Sequence, residues 1–144
     1  MADRVLRDGD TALFEPVFGA AIVIVRPGIL TASGTATIGG RRACVQGDEG
    51  TVSVPGCVYT TAQHSIPGVG TLRISSLADD QQATRTRTRG TALLLAGGRF
   101  EAEFQVQAPA QQPQPLPAPP TPDATASYSG RGKFLGTNQT VKGT

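Results

Sequence analysis

Hydrophobic and polar positions along this chain alternate in short runs, the period-2 pattern that sends successive side chains to opposite faces of a β-strand. The clearest run is residues 100–106, where Phe100, Ala102, Phe104 and Val106 share one face and Glu101, Glu103 and Gln105 the other. Such a segment reads as a half-buried strand. The same alternation sets Val52 and Val54 against Thr51 and Ser53, and Leu72 and Ile74 against Thr71 and Arg73. These positions belong to a short element that recurs four times, beginning at Gly34, Gly50, Gly70 and Gly90, with starts 16, 20 and 20 residues apart. Each copy reads Gly-Thr-x-x-aliphatic, opening on a glycine able to turn the chain at positive φ. Near-equal strands separated by turns predict a meander or wrapped cone whose pseudosymmetry suits a symmetric partner. A Gly- and Thr-rich chain also produces this string by chance; the strand assignments stand on either reading.

Around these elements the pattern predicts four regions. Residues 1–30 are a lead-in with apolar runs at 11–14 and 20–25, closed by a turn signal at Arg26-Pro27-Gly28. Within it Ile22, Val23, Ile24 and Val25 are apolar on both faces, which marks a strand buried on both sides or covered by a partner, and makes these four the candidate partner-binding residues. Residues 31–106 form the β body. Inside the body, residues 77–89 turn polar and end in Thr-Arg alternation, placing Arg85, Arg87 and Arg89 on one face. That stripe would meet phosphates or carboxylates, or serve as a solvated edge that discourages aggregation. Residues 90–95 and 100–106, joined at Gly97-Gly98, predict a hairpin. Residues 107–127 are a Pro-, Gln- and Ala-rich semi-extended linker, and residues 128–144 a polar tail, flexible or a tethered binding segment around Phe134-Leu135.

Composition sharpens this to an all-β chain. Gly 18 and Pro 11 make about a fifth of 144 residues, while Leu/Glu/Lys-rich helical runs are absent. A net charge of only +2 and scattered basic residues leave no broad footprint for nucleic acid, and two Tyr, five Phe and no Trp leave no stacking platform for single strands. The longest apolar stretch, residues 17–25, is too short to span a bilayer, and the first residues lack the features of a secretory signal, so synthesis in the cytoplasm is expected.

Candidate chemistry is sparse. The single histidine, His64, lies in no nucleophile motif, and there is no Walker-type loop or dinucleotide fingerprint. The constellation of interest is Cys44, Cys57 and His64, three soft or borderline ligands within 21 residues. Two thiolates and an imidazole suit one structural zinc or iron ion, with Asp48, Glu49 or water completing the site. The alternative is two isolated buried thiols and a surface histidine.

Three strings in this chain carry a family resemblance: Thr31-Ala-Ser-Gly-Thr-Ala-Thr-Ile-Gly-Gly40, Val54-Pro-Gly-Cys-Val-Tyr-Thr-Thr-Ala-Gln63 and Gly90-Thr-Ala-Leu-Leu-Leu-Ala96. The stretch from about residue 29 to 106 resembles the PAAR-like spike-tip proteins of contractile injection systems, known from phage tails, type VI secretion and extracellular injection particles. The resemblance implies a small conical, pseudo-threefold domain of short strands, here followed by a Pro-rich extended C-terminal arm. It implies a structural, non-enzymatic role as the cap of a homotrimeric VgrG-like spike protein, helping to pierce the target envelope. A metal at the point of the cone would fall on Cys44, Cys57 and His64. There is no Pro-Ala-Ala-Arg string, the nearest being Gly39-Gly-Arg-Arg-Ala43, and the several histidines of the type VI ligand set are missing. The C-terminal arm, which a bare tip does not need, would sheathe the needle or engage an effector or other cargo. Neither nucleic acid nor stable membrane insertion is expected; the chain would enter an injection particle, acting either inside or outside its producer. The competing classes are another structural or adhesive β-domain, such as a virion decoration or carbohydrate-binding module, and a small metal-dependent enzyme with a pocket at His64.

Overall fold

The structure, a computed structural model, describes residues 3–88, 90–136, 138 and 142–143. Its strands are β1 (Asp3–Arg4), β2 (Thr11–Phe14), β3 (Val17–Phe18), β4 (Ala21–Val23), β5 (Gly28–Ile29), β6 (Thr37–Ile38), β7 (Arg41–Arg42), β8 (Ser53–Thr61), β9 (Gly68–Ser76), β10 (Gln82–Thr88), β11 (Thr91–Leu94), β12 (Phe100–Ala108), β13 (Gln111–Gln112), β14 (Thr121–Pro122), β15 (Ser127–Leu135) and β16 (Lys142–Gly143). Two short 3-10 turns, Asp48–Thr51 and Asp79–Gln81, are the only helical segments among the described residues, and no helix is long and apolar enough to cross a membrane.

Eight strands build one strongly curled half-barrel in the order β3-β4-β8-β9-β12-β15-β2-β5, every neighbour antiparallel. The curl has local causes. In β8 the ladder shifts between Val54 and Cys57, where Pro55 has no N–H to donate and Gly56 sits at φ +71°. Along β15 the glycines leave room for rings: a Cβ at Gly132 would stand 2.5 Å from Phe100 Cζ, and one at Gly130 2.5 Å from Phe18 Cδ2. The sheet therefore wraps around aromatic side chains. All five phenylalanines, Phe14, Phe18, Phe100, Phe104 and Phe134, are buried in the main core with Tyr59 and Leu72. Phe14 meets Phe100 edge to face at 5.6 Å between centroids, and Tyr59 meets Phe104 at 5.1 Å. A low aromatic content is thus concentrated where each ring contributes most.

Strand direction gives the molecule two ends. At one, the β8–β9 connection, the end of β12 and the start of β15 come together, and the β13–β14 hairpin leaves the body (Ile66 and Gln111 exchange both backbone hydrogen bonds, 3.0 and 2.9 Å). At the other, β6–β7 and β10–β11 enclose a second, smaller core of Val5, Ile38, Ala43, Val45, Ala83, Leu93 and Leu95, beside the β1–β16 ladder.

The all-β expectation and the residue 100–106 strand hold: Phe100, Ala102 and Phe104 are buried and Glu101 is exposed. Several finer expectations do not. Only Gly90 of the four repeat glycines turns at positive φ, at +80°; Gly70 lies inside β9, Gly50 in a 3-10 turn, and a Cβ on Gly34 would meet the Ala43 carbonyl oxygen at 2.3 Å. The shared string thus serves four different backbone roles. Residues 90–95 and 100–106 do not pair with each other: β11 pairs with β10, and β12 lies between β9 and β15. Gly97 and Gly98 instead carry the chain from the second core into the main sheet, with the Gly98 amide donating to Asp80 Oδ2 at 2.9 Å. Arg26-Pro27-Gly28 is no turn; Gly28 is the first residue of β5, where a Cβ would collide with Val52 Cγ1 at 2.5 Å.

The largest correction concerns both ends of the chain. The lead-in supplies β2 to β5 of the main sheet, and residues 127–135, expected as a flexible tail, are the nine-residue strand β15 between β12 and β2. Gly, Ser, Arg and Lys hid it, because β15 offers the core glycines beneath rings, with Phe134 buried and Tyr128 half-buried as its large side chains there. Of the arginine stripe, Arg85 and Arg87 lie exposed on β10, while Arg89 falls outside the described residues.

A chain ending at residue 108 should consequently fail to fold, read by loss of cooperative unfolding and of amide-proton dispersion. Gly132→Ala should cost about 1–3 kcal/mol in denaturant unfolding through overpacking. Gly50→Ala, with open space around it and no positive φ, should stay within about 0.5 kcal/mol of the parent.

Candidate docking surface

Strand β4 and the two residues after it separate the four apolar residues 22–25 by simple alternation. Val23 is 2% exposed and faces the core, and Val25 packs against that core. Ile22 and Ile24 point outward and are 61% and 69% exposed. The pattern of apolar residues on both faces therefore resolves into one face spent on the core and one left open; Val23 and Val25 drop out as contact residues. Register extends the open face. Val17 pairs with Ile22 across the β3–β4 edge and is 60% exposed. The Ile24 amide donates to the Val58 carbonyl at 2.8 Å, and Val58 pairs with Val69 on β9, so Ile24, Val58 and Val69 form a ladder across three strands. Thr60, opposite Ile22, is the polar position in this surface.

Behind the ladder stands a buried polar knot. Asp123, 7% exposed, accepts hydrogen bonds at Oδ2 from the hydroxyls of Tyr59 (2.9 Å) and Tyr128 (2.6 Å), and at Oδ1 from the Thr125 amide (3.0 Å). Tyr59 Oη in turn accepts from the Ala110 amide at 2.9 Å. The knot fastens both stems of the Pro-rich hairpin to the barrel, since the Asp123 amide also donates to the Ala110 carbonyl at 2.8 Å. Burial works against ionisation of Asp123, but the hydrogen bonds from Tyr128, Thr125 and Tyr59, with His64 nearby, hold its carboxyl below the ordinary value. Burial first, and then the Asp123 carboxylate, push the Tyr59 hydroxyl up to about 12 despite the Ala110 amide.

The three candidate metal ligands do not converge. Cys44 is fully buried in the main core, its amide donating to the Leu6 carbonyl and its carbonyl accepting from the Leu94 amide, both at 2.9 Å. Cys57 is buried in β8 with Sγ 3.6 Å from the Val54 carbonyl oxygen. His64 lies three residues past the end of β8, with Nδ1 2.8 Å from Thr61 Oγ1. Among the described residues no group of three or more His, Cys, Asp or Glu side chains is placed to hold a metal ion. Burial, followed by the carboxylates of Asp48, Asp10 and Asp8, keeps the Cys44 thiol well above its ordinary pKa, which disfavours the thiolate a metal needs. The trio does not fit the ion inferred from spacing. His64 instead borders an open groove with Thr61, Gln63, Asp123, Thr125 and Tyr128.

Comparison with protein families decides what kind of body carries this surface. A family profile described as contractile injection system spike tip protein matches residues 1–144. The chain belongs to that family. It is a structural tip component incorporated into an injection particle, and its association with a spike or needle complex follows from membership. No curated protein matches the chain.

For this spike tip the outward ladder and the polar knot are the residues that sequence reasoning largely missed. Val17, Val58 and Val69 become a surface only through register. Asp123 left one signal, being the first charged residue after the uncharged stretch 104–122. A lone carboxylate at the exit of a Pro-rich segment marks a place where the chain is tied down.

The sign of the pH dependence follows from the knot. Asp123, with its folded pKa depressed, contributes stability present above its unfolded value of about 3.9 and lost as pH falls through the folded pKa. Tyr59, with its pKa raised, contributes stability present below about 10 and lost as pH rises toward 12. Stability against thermal unfolding should therefore be highest between about pH 5 and 9. Tyr59→Phe should lower stability at pH 7 by about 1–3 kcal/mol, because the Ala110 amide and Asp123 each lose a partner, and should flatten the alkaline decline.

Proposed function

We propose that this spike tip caps a homotrimeric VgrG-like spike and helps drive it through a target envelope. The observation that carries the reading is the aliphatic face of Val17, Ile22 and Ile24, left exposed and continued by half-buried Val58 and Val69, on a body whose aromatic residues are all at least partly buried. Apolar area of this kind, bordered by polar Thr60, is what a permanent assembly contact requires. In this reading one tip seats on each trimer.

In this reading the chain acts mechanically and catalyses nothing. Sheath contraction supplies the work, and the tip transmits it without deforming. A sheet curled around interlocking rings and tied by the Tyr59–Asp123–Tyr128 knot suits that task, because a densely packed interior yields little under load. The protein would be made in the bacterial cytoplasm, assembled into the particle and carried outside with it.

Ile22→Asp combined with Ile24→Asp tests the reading. The double variant should keep its unfolding free energy to within about 0.5 kcal/mol, both side chains being exposed. It should bind the spike trimer of the same particle at least roughly 30-fold more weakly by calorimetry or sedimentation. Undiminished binding would remove the ladder as the docking face.

A further inference from the structure

Five of the seven large hydrophobic side chains left exposed among the described residues gather at one end of the molecule: Val17, Ile22, Ile24, Ile66 and Leu116. The first three belong to the ladder. Ile66 sits in the β8–β9 connection and is bonded to Gln111 at the base of the Pro-rich hairpin, and Leu116 is at that hairpin's tip, 94% exposed. The hairpin thus continues the apolar end instead of projecting from an unrelated surface.

Its chemistry is unusual for a loop in water. Residues 104–122 contain no charged side chain, and five of the eight tip residues 113–120 are proline. Proline has no N–H, so the tip offers only the amides of Gln114, Leu116 and Ala118, and Ala118 already donates to the Pro115 carbonyl at 3.0 Å. Few donors then need a new partner when such a segment leaves water. The stems are fixed before any partner arrives. Gln111 and Gln112 pair with Pro122 and Thr121, Gln114 Nε2 donates to Thr121 Oγ1 at 3.2 Å, and the Asp123 knot holds the base. Restricted proline backbone on a pinned base loses little entropy on binding.

We propose that the Pro-rich hairpin is an anchoring strap that seats Leu116 in an uncharged, apolar groove of the same spike trimer that receives the ladder. The inference rests on the docking reading above and adds a second, off-axis contact. One strap on a threefold shaft selects one of three equivalent grooves and so fixes the rotation of the tip about the spike axis, which a ladder contact alone would leave to weaker side-chain fit.

The test uses the full chain with a fluorophore sensitive to solvent polarity on Leu116→Cys. Cys44 and Cys57 are both buried, so labelling is confined to the new thiol. A matching label on Gln46→Cys, exposed near the second core, serves as the reference. Adding the spike trimer should shift the emission of the residue 116 label to the blue and leave the residue 46 label unchanged. Leu116→Asp should weaken spike binding at least roughly tenfold. A residue 116 label that stays in water at saturating spike overturns the strap, and so does one that shifts with phosphatidylcholine vesicles but not with spike. If the residue 116 label is silent while Ile22→Asp/Ile24→Asp abolishes binding, the strap fails and the docking face stands. If the label shifts and that double variant binds normally, the strap stands and the docking face fails.

Discussion

The return of the chain into strand β15 is the constraint on which the rest of this structure depends. Residues 127–135 lie between β12 and β2, so without them the N-terminal strands β2 and β5 lose their route into the sheet and the rings of Phe100 and Phe18 lose their floor at Gly132 and Gly130. Loop closure over the Pro-rich segment costs conformational entropy that this pairing must offset. The Tyr59–Asp123–Tyr128 knot helps by clamping the two stems next to each other, so that the excursion of residues 113–120 ends where it began. The segment that looked like the end of the fold is therefore a detour inside it.

How much of this was legible in the sequence varies with the range of the interaction concerned. The alternation at Phe100, Ala102 and Phe104 reports a face locally, and the strand is there. The mixed run at Ile22 to Val25 reported two apolar faces, and the structure divides them between core and surface. Partnership was not legible, because antiparallel neighbours such as β12 and β15 are joined by no tight turn. Glycine misled in both directions: the repeat glycines were read as turns when only Gly90 adopts positive φ, whereas Gly130 and Gly132 were passed over in a polar tail although they make room for the largest side chains. The Cys44, Cys57 and His64 trio failed for a related reason. Closeness along the chain was taken for closeness in space, whereas Cys57 sits within β8, His64 lies past its end, and no ligand group converges among the described residues.

A division of labour follows from the two ends. The second core, with the β1–β16 ladder and the exposed Arg85 and Arg87, closes one end with a mixed polar surface. The other end collects the outward aliphatics and the uncharged hairpin, and the polar knot lies between this end and the aromatic core. A load applied to the apolar end passes along four nine-residue strands, β8, β9, β12 and β15, without crossing a long loop. Such an arrangement is consistent with a part that must be held at one end and pushed.

Amide hydrogen exchange of the full chain, free and with the spike trimer, tests the central claim most directly. The account predicts slower exchange over residues 17–24 and 61–69 in the complex, with residues 36–42 and 82–88 unchanged. Protection confined to the second-core end, or none at the apolar end at saturating spike, would contradict it.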